Sequence, residues 1–447
     1  MLLTIEKLIY GGDGLARLPV ASDIDDAHSR GKAVFVPFVL AEEKIEATLT
    51  EQKPGFARAQ ADRVIEPSPH RVQPGCQYFS RCGGCHYQHA SYDHQLDLKK
   101  EILRESLRRT AKLELSFDIE VHPSPPWNYR NRSRLQVQVS PSFAAGYFKL
   151  ASHELLAVEQ CPISSPLINR GIASLWQSGR AGHVPEGVRE VEFFANAEDT
   201  QLLIDVGCAG VARRAAVRAW AEEFRASMPE IVGVVGFREP NPGDRKAGAQ
   251  EILVTVGAAN LTYKTERAAY LVSAGSFFQT NRHLTDELVK IVTAGQSGKV
   301  ALDLYAGVGL FSTALACDFH HVVSVESSQT SSADLAYNQP SHGGTVKATV
   351  EQYLARAENT GGRKSAEIPN RPDLVVVDPP RSGLGEKVAR SLAAMAAPRI
   401  TYASCDPATL ARDLVPLLAA GYRVEQVHLV DLFPQTYHLE SVVHLIR

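Results

Sequence analysis

The stretch from Ala301 to Phe311, ALDLYAGVGLF, decides the fold class. Its apolar start, two glycines and second apolar run predict a strand, a tight turn and the first turn of a helix. Glycine lets the backbone pass close to a ligand, so this turn is a candidate binding loop. The third glycine of the dinucleotide-binding fingerprint is absent, and no pyrophosphate cradle is predicted.

Two acids accompany this turn. Asp303 precedes the glycines, and Glu326 ends the next strand-like segment, where an acid commonly accepts hydrogen bonds from ribose hydroxyls. The pattern suits S-adenosylmethionine, which carries a ribose and a cationic centre but no phosphate. A flavin or nicotinamide domain is the alternative.

Outward from this turn, apolar strands alternate with helical segments throughout the chain after residue 265. The alternation predicts right-handed crossovers and a mostly parallel sheet that binds ligands at the carboxyl ends of its strands. The last two strand-like segments are expected to pair as an antiparallel hairpin. The predicted strands are Val300–Leu304, His321–Val325, Asp373–Val377, Arg399–Ala403, Tyr422–Leu429 and Glu440–Ile446.

A cysteine lies just past one of these strands. Cys405 follows the segment that ends at Ala403, and Asp406 or Thr409 is expected to cap the next helix. A thiol near a helix N-terminus has a lowered pKa and is a better nucleophile. The alternative is a small buried apolar side chain, and position alone leaves both open.

Carboxylates accompany the cysteine at the same predicted edge. Asp378 ends one strand, and Glu440 begins the last one. Thiolate addition to carbon 6 of uracil would make carbon 5 nucleophilic, and a base must then remove the carbon 5 proton. Amine methylation is disfavoured, because Arg381 follows the Asp-Pro-Pro motif where those enzymes carry a stacking aromatic residue.

A second cluster of cysteines precedes this region. Cys76, Cys82 and Cys85 lie within ten residues, and Cys161 could supply a fourth thiolate. Their spacing favours an iron–sulfur cluster. A zinc site that also uses His86 and His89, or purely structural thiols, are the alternatives.

The N-terminal half differs from the rest in its pattern. Residues 1–66 contain short strands and glycine turns that predict a small β-barrel, and prolines end this segment. Residues 91–110 have apolar positions at helical spacing. Residues from about 120 to 260 are mostly strand-like.

Composition excludes several classes. The 447 residues are 44% hydrophobic and 22% charged, which is typical of globular domains. A net charge of −3 argues against a globally cationic nucleic-acid binder but leaves room for local basic patches. No apolar run reaches the roughly 18 residues of a membrane span, and no signal peptide is evident, so we expect a cytoplasmic protein.

Taken together, these motifs closely resemble the RNA 5-methyluridine methyltransferases, especially the 23S ribosomal RNA (uracil-5-)-methyltransferases, over nearly the whole chain. The resemblance implies an OB-like TRAM barrel at the N-terminus and a Rossmann-like class I methyltransferase domain at the C-terminus. It also implies a mostly β central domain. In that domain, a 4Fe-4S cluster is held by Cys76, Cys82, Cys85 and Cys161.

The resemblance also assigns roles in the catalytic region. It implies Cys405 as the nucleophile and Glu440 as the base. The methyl donor, S-adenosylmethionine, would be bound by Gln279, Tyr305, Glu326 and Asp378. Two positions depart from the family pattern, which usually has Asn in place of Leu310 and in place of Asp406.

The predicted domains are residues 1–66, 67–265 and 266–447, with the 91–110 helix expected to pack on the last of them. The expected partner is RNA, and the resemblance favours 23S ribosomal RNA, whose target uridine must leave its stack. Arg130, Arg132 and Arg134, two residues apart, could contact phosphates from one strand face. No obligate protein partner and no membrane are expected.

Three alternative functions stay open at this point. A tRNA uridine-5 methyltransferase shares the chemistry. An RNA cytosine-5 methyltransferase would carry a second cysteine after its Asp-Pro loop, which is absent here. A non-catalytic iron–sulfur RNA-binding protein would not need Cys405 together with Glu440.

Overall fold

The computed structural model describes residues 1–18, 31–238, 251–359 and 371–447. The described N-terminal strands form one six-stranded sheet in the order β1-β5-β6-β4-β3-β2. Along β5, apolar and polar residues alternate between a buried and an exposed face, as the period of two predicts. The strands are β1 (Leu2–Thr4), β2 (Lys7–Leu8), β3 (Gly14–Arg17), β4 (Ala33–Val36), β5 (Lys44–Gln52) and β6 (Phe56–Glu66).

A helix, α1 (Tyr92–Ala111), and a short strand, β7 (Glu120–His122), follow. The helix confirms the periodicity of residues 91–110. It ends at Lys112, which adopts the left-handed conformation with φ 55°.

The middle of the chain forms a seven-stranded sheet in the order β10-β9-β8-β11-β12-β13-β14. Two helices cover it, and Ile172 and Phe224 from these helices share one core with the sheet. The mostly-strand prediction missed both helices. The elements are β8 (Arg132–Gln138), β9 (Ala144–Phe148), β10 (Leu155–Ala157), α2 (Pro166–Arg180), β11 (Val188–Ala195), β12 (Leu202–Cys208), α3 (Arg214–Ala226), β13 (Ile231–Arg238) and β14 (Glu251–Gly257).

A hairpin and an eight-stranded sheet follow, and the sheet has the order β19-β18-β17-β20-β21-β23-β22-β7. The strands are β15 (Asn260–Lys264), β16 (Ala269–Ser273), β17 (Gly298–Leu304), β18 (Phe319–Glu326), β19 (Gly344–Lys347), β20 (Leu374–Val377), β21 (Arg399–Ser404), β22 (Arg423–Val430) and β23 (Glu440–Ile446). The helices are α4 (Thr285–Thr293), α5 (Leu310–Leu315), α6 (Gln329–Asn338), α7 (Val350–Asn359), α8 (Gly385–Met395) and α9 (Pro407–Ala419).

The eight-stranded sheet confirms the predicted topology. Strands β17, β18, β19, β20 and β21 run parallel to one another. Strand β23 inserts antiparallel between β21 and β22 and so forms the predicted closing hairpin. Strand β19 is an addition that the sequence pattern did not reveal.

Two apolar cores cover the two faces of this sheet. Successive residues of β17 point to opposite faces, so Leu302 belongs to one core and Ala301 to the other. Helices α1, α8 and α9 pack on the first face, where Leu103 and Leu410 are fully buried. Helices α4 and α5 and the β15–β16 hairpin pack on the second face.

Segments that lie far apart in the chain therefore meet in one body. Helix α1 packs on the C-terminal sheet, and β7 pairs with β22 as its edge strand. The predicted boundary between residues 265 and 266 falls in the turn of the β15–β16 hairpin, whose two strands are paired. No helix of the described chain is both long and apolar enough to cross a membrane.

Candidate functional site

The carboxyl ends of the parallel strands surround a cavity of about 800 Å³. All six residues predicted to bind the methyl donor or to react line this cavity, although they come from six separate segments. They are Gln279, Tyr305, Glu326, Asp378, Cys405 and Glu440. The sheet edge thus brings together the side chains that the sequence placed at strand ends.

The glycine turn after β17 forms one wall of the cavity. Tyr305, Gly307 and Gly309 have φ values of 63°, 56° and 95°, which let the chain reverse within five residues. The Gly307 amide donates a 2.9 Å hydrogen bond to Glu326 Oε2. This bond fixes Glu326 at the mouth of the turn.

Two residues near the turn have roles that the sequence did not specify. Asp303 lies beneath the cavity, where the Ser312 hydroxyl donates to it and burial raises its pKa to about 7. Leu310 lines the cavity, and its backbone carbonyl accepts a 2.9 Å hydrogen bond from the Tyr270 hydroxyl. The missing asparagine is therefore replaced by an apolar wall.

Asp406 is the N-cap of α9. Its carboxylate accepts hydrogen bonds from the amides of Ala408 and Thr409 at 3.0 and 2.9 Å. The predicted cap is confirmed. The negative charge of Asp406, at the position where the family usually has Asn, interacts with the N-terminus of α9.

The electrostatics of Cys405 differ from the prediction. Burial first, and then the nearby Glu440 and Asp378, raise the pKa of this half-buried thiol to about 12, whereas Arg381 opposes them. The expected lowering of this pKa by the helix N-terminus is therefore wrong. Burial and the two carboxylates raise the pKa of Cys405 by more than the positive end of the α9 dipole lowers it. The Asp406 carboxylate already caps that end of the helix.

Glu440 and Asp378 form the acidic side of the cavity. Burial and their mutual repulsion raise the pKa of Glu440 well above its ordinary value, and burial together with Asp303 raises that of Asp378. Within the described residues, neither carboxylate has an ion-pair partner. The cavity thus holds two carboxyl groups that favour either a proton or a bound cation.

Further residues of the wall were not recognised in the sequence. Phe277, beside Gln279, exposes 61% of its surface although it is a large apolar side chain. Phe433 and His438 also line the cavity, and Arg381 Nη2 lies 3.3 Å from His438 Nδ1. Burial and Arg381 lower the pKa of His438 to about 3, so its ring is neutral. An exposed aromatic side chain leaves no signal in a sequence pattern.

The N-terminal sheet reaches this site through Tyr10. The hydroxyl of Tyr10 lies 3.4 Å from the carbonyl oxygen of Cys405, to which it donates. The Tyr10 ring packs edge-on against Tyr437, with ring centroids 5.7 Å apart. The turn between β2 and β3 is therefore in contact with the loop that carries the thiol.

Helix α1 supports the loop that leads to Glu440. Lys99 Nζ lies 2.5 Å from Asp431 Oδ1 and donates to the Phe433 carbonyl at 2.9 Å. The Tyr92 hydroxyl donates to Asp431 Oδ2 at 2.9 Å. A segment more than 330 residues away in the chain therefore holds this loop.

The four predicted ligand cysteines line a second, smaller cavity. Cys76, Cys82, Cys85 and Cys161 meet there as free thiols. Cys161 reaches this cavity from a segment well apart from the other three.

The two histidines considered for a mixed zinc site lie elsewhere. His86 packs against Tyr437 with ring centroids 4.5 Å apart, and His89 Nε2 lies 3.3 Å from the Val39 carbonyl. Neither lines the cysteine cavity. The zinc alternative with histidine ligands is therefore wrong.

The three arginines do not form a row of free cations. Arg132 and Arg134 both pair with Glu192, at 3.4 and 2.9 Å, and Arg132 also stacks on Phe194. Arg130 lies outside β8 and lines the cysteine cavity. The prediction of a phosphate-binding strand face is wrong, because a neighbouring strand supplies the carboxylate that neutralises it.

Comparison with known proteins agrees with this geometry. Residues 249–447 match the family model described as tRNA (Uracil-5-)-methyltransferase. A protein of Aquifex aeolicus described as an uncharacterized RNA methyltransferase is 31% identical, covering 99% of this chain and 97% of its own length. A Thermotoga maritima protein with the same description is 30% identical, covering 99% of this chain and 98% of its own.

A solved structure shares the fold. The tRNA (uracil-54, C5)-methyltransferase of Pyrococcus abyssi, in complex with S-adenosyl-L-homocysteine, superposes with a TM-score of 0.73 at 22% identity. The alignment covers 100% of both chains. At this identity the likeness concerns the fold.

Proposed function

Because the chain belongs to the family of S-adenosylmethionine-dependent RNA (uracil-5-)-methyltransferases, we propose that it methylates carbon 5 of a specific uridine through Cys405 and Glu440. The C-terminal sheet has the class I methyltransferase fold of that family. One observation carries the proposal for the mechanism: the thiol of Cys405 and the carboxylate of Glu440 line the same cavity as the four proposed donor-binding residues.

The cavity suits a cationic methyl donor. Gln279, Tyr305, Glu326 and Asp378 would hold S-adenosylmethionine, with Glu326 facing its ribose. When bound, the donor supplies an electrophilic methyl group. The raised pKa values of Asp378 and Glu440 show that neither carboxyl has a cationic partner, and a sulfonium beside them would favour their ionised forms.

Cys405 starts the reaction and ends it. Its thiolate Sγ bonds to carbon 6 of the uracil, and the electron pair of the 5,6 double bond makes carbon 5 the nucleophile. Carbon 5 takes the methyl group as the bond between that methyl and the donor sulfur breaks, with its electron pair left on the sulfur. Glu440 then removes the remaining proton from carbon 5. The electrons of that C–H bond restore the double bond, the C6–S bond breaks, and Cys405 leaves as thiolate.

The raised pKa of Cys405 implies an order for the steps of the reaction. Burial, Glu440 and Asp378 keep the thiol protonated at neutral pH. A cation bound beside these carboxylates would lower the pKa of Cys405. The nucleophile would therefore form after the donor binds, which protects the thiol in the free enzyme.

The four-cysteine cavity supports the proposal of a 4Fe-4S cluster. Four thiols line one cavity, and Cys161 meets the other three from a separate segment. The methyl transfer above needs no electron donor, so we assign the cluster a role in folding or RNA binding. An anaerobic preparation should be brown with about four irons per chain; a colourless preparation holding one zinc would contradict this assignment.

We propose 23S ribosomal RNA as the substrate. The resemblance to the 23S enzymes includes the TRAM-like segment 1–66 and the cluster cysteines of the 67–265 region, both proposed here as RNA-gripping parts beside the 266–447 catalytic domain. The contact of Tyr10 with the Cys405 loop supports a role of residues 1–66 at the site. A tRNA substrate is the second candidate, favoured by the description of the matching family model.

Mapping 5-methyluridine in ribosomal and transfer RNA tests the substrate. Cells without the protein should lose the modification at a discrete 23S site; loss at a tRNA position alone would select the second candidate. Cys405→Ala should abolish methyl transfer while donor binding persists, and Glu440→Gln should accumulate an RNA–protein adduct that survives denaturing gels. Full activity in Cys405→Ala would exclude the covalent mechanism.

A further inference from the structure

A cluster of imidazole and carboxylate groups lies at the edge of the eight-stranded sheet. Glu120 and His122 lie on β7, and His428 lies opposite Glu120 on β22. Among the described residues, this is the one set of three or more histidine, cysteine or acidic side chains whose ligand atoms all lie within 4.8 Å of one another. None of the three residues lines the methyltransferase cavity.

The distances match one face of a metal coordination shell. His122 Nε2 lies 3.0 Å from His428 Nδ1. Glu120 oxygens lie 3.4 Å from His428 Nδ1 and 3.7 Å from His122 Nε2. A tetrahedral ion with bonds of about 2.0–2.1 Å to nitrogen and oxygen holds these atoms about 3.3 Å apart.

A fourth group orients one of the rings. Glu287 of α4 lies 3.0 Å from His122 Nδ1 and accepts a hydrogen bond from its N–H. The other nitrogen of His122 then carries a lone pair that points at the cluster. Metal-binding histidines typically have such a carboxylate behind them, which fixes the tautomer and increases the basicity of the ligand nitrogen.

The cluster holds more acceptors than protons without a metal. With His122 Nδ1 protonated toward Glu287, the His122 Nε2 lone pair and the Glu120 carboxylate both converge on His428 Nδ1. One N–H must therefore serve two acceptors. A divalent cation in the place of that proton would satisfy all three groups.

We propose that Glu120, His122 and His428 bind Zn²⁺ or a similar divalent transition-metal ion, with Glu287 as the positioning residue. Two imidazoles and one carboxylate suit zinc and leave a fourth position for water. The side chain of Glu120 is 64% exposed, so the ion can enter from solvent. Bound there, it ties the three-residue edge strand β7 to β22 and stabilises the folded chain.

Zinc X-ray absorption on the full chain, with the cysteine site already loaded with its cluster, tests this proposal. We expect one zinc with nitrogen and oxygen ligands at about 2.0–2.1 Å and no sulfur at about 2.3 Å. Zinc should also raise the thermal unfolding temperature. A shell of sulfur alone would mean that zinc had entered the cysteine cavity, and would overturn the proposal.

Three variants and a control distinguish the ligands. Glu120→Gln, whose side chain is exposed, should fold normally and lose most of the zinc affinity, as should His428→Ala. Glu287→Ala should weaken binding by about 10- to 100-fold. His320→Ala changes an exposed histidine of β18 outside the cluster and should bind like the parent. Equal zinc affinity and stoichiometry in Glu120→Gln, His428→Ala and the control would contradict the site.

Discussion

Two groups of buried ionisable side chains include residues of the segment from Asp431 to Glu440, and they behave in opposite ways. Lys99 and Asp431 form an ion pair 2.5 Å long with side chains only 1% and 0% exposed. Nine residues after Asp431, Glu440 faces Asp378 with no cation paired to either in the described chain. The first group is an ion pair, and the second is a pair of carboxyl groups whose raised pKa values disfavour ionisation.

The two groups have different roles: the ion pair supports a loop, and the carboxyl groups without a cation belong to the reactive site. A buried ion pair with every hydrogen bond made is rigid, and breaking it is costly because a charge is left without a partner. Two like charges in a cavity raise each other's pKa and so favour the arrival of a proton or a cation. The paired group holds the loop, and the unpaired group prepares the site for a cationic donor.

The largest effect is expected at Lys99. Lys99→Met leaves the Asp431 carboxylate buried and unpaired, and should lower the free energy of unfolding by about 3–5 kcal/mol. Denaturant titration measures this loss. Lys100→Met removes the neighbouring, more exposed pair with Asp118 and should cost less than about 1 kcal/mol. Equal losses in the two variants would remove the distinction drawn above.

Tyr92 tests the same support by a smaller change. Tyr92→Phe removes the hydroxyl that donates to Asp431 and accepts from the Ser124 amide at 2.8 Å. Loss of a hydrogen bond to a charged group should cost about 1.5–3 kcal/mol in the same titration. Tyr337→Phe, at a ring that is 74% exposed, is the control and should leave stability unchanged. A neutral Tyr92→Phe would show that Lys99 alone satisfies Asp431.

Asp378 should respond in the opposite direction. Its pKa is raised in the folded state, so its contribution to stability declines as the pH rises above about 4, the ordinary pKa of Asp, through the folded pKa. Asp378→Asn should therefore stabilise the donor-free enzyme by on the order of 1 kcal/mol at pH 8 and make no difference below pH 4.

The affinity for the methyl donor is the second property to measure in the Asp378→Asn variant. Isothermal titration with S-adenosylmethionine should show weaker binding to Asp378→Asn, because a charge that the sulfonium compensates has been removed. A variant that is less stable at pH 8 than the parent would show that this carboxylate is paired in solution.

The smallest effect concerns Arg381, whose charge lowers the pKa of Cys405. Arg381→Gln should raise that pKa by less than about one unit, because the arginine is solvent-exposed and its field is screened. The rate of iodoacetamide alkylation of Cys405 against pH should shift to higher pH by that amount. Arg412→Gln, which removes a cation that pairs with Asp413 instead, is the control. A shift to lower pH would contradict the assigned sign.

Much of the catalytic fold follows from local sequence pattern. The four predicted parallel strands lie within two residues of the observed ones, because each is a short apolar run ended by a loop. Cys405 and Glu440 could be assigned to one edge because parallel strands end on the same side. The helices α2 and α3 were missed because they lie between strong strand patterns.

The parts that failed depend on residues distant in the chain. The sequence predicted that Arg134 is free to contact phosphate, but strand β11 places Glu192 beside it. The position of Cys405 before a helix predicted a low pKa. Its pKa is high because the thiol is partly buried and Glu440 and Asp378 lie beside it. His122 and His428 gave no motif because β7 and β22 are separated by some 300 residues.

The sequence by itself determined helix α1, most strands of the parallel sheet and the identity of the groups at their ends, since periodicity and turn residues act over a few positions. Only the tertiary structure decided which charges are paired and which are not. Coulomb interaction and desolvation depend on distance and burial, and these are set where β7, α1 and the C-terminal sheet come together.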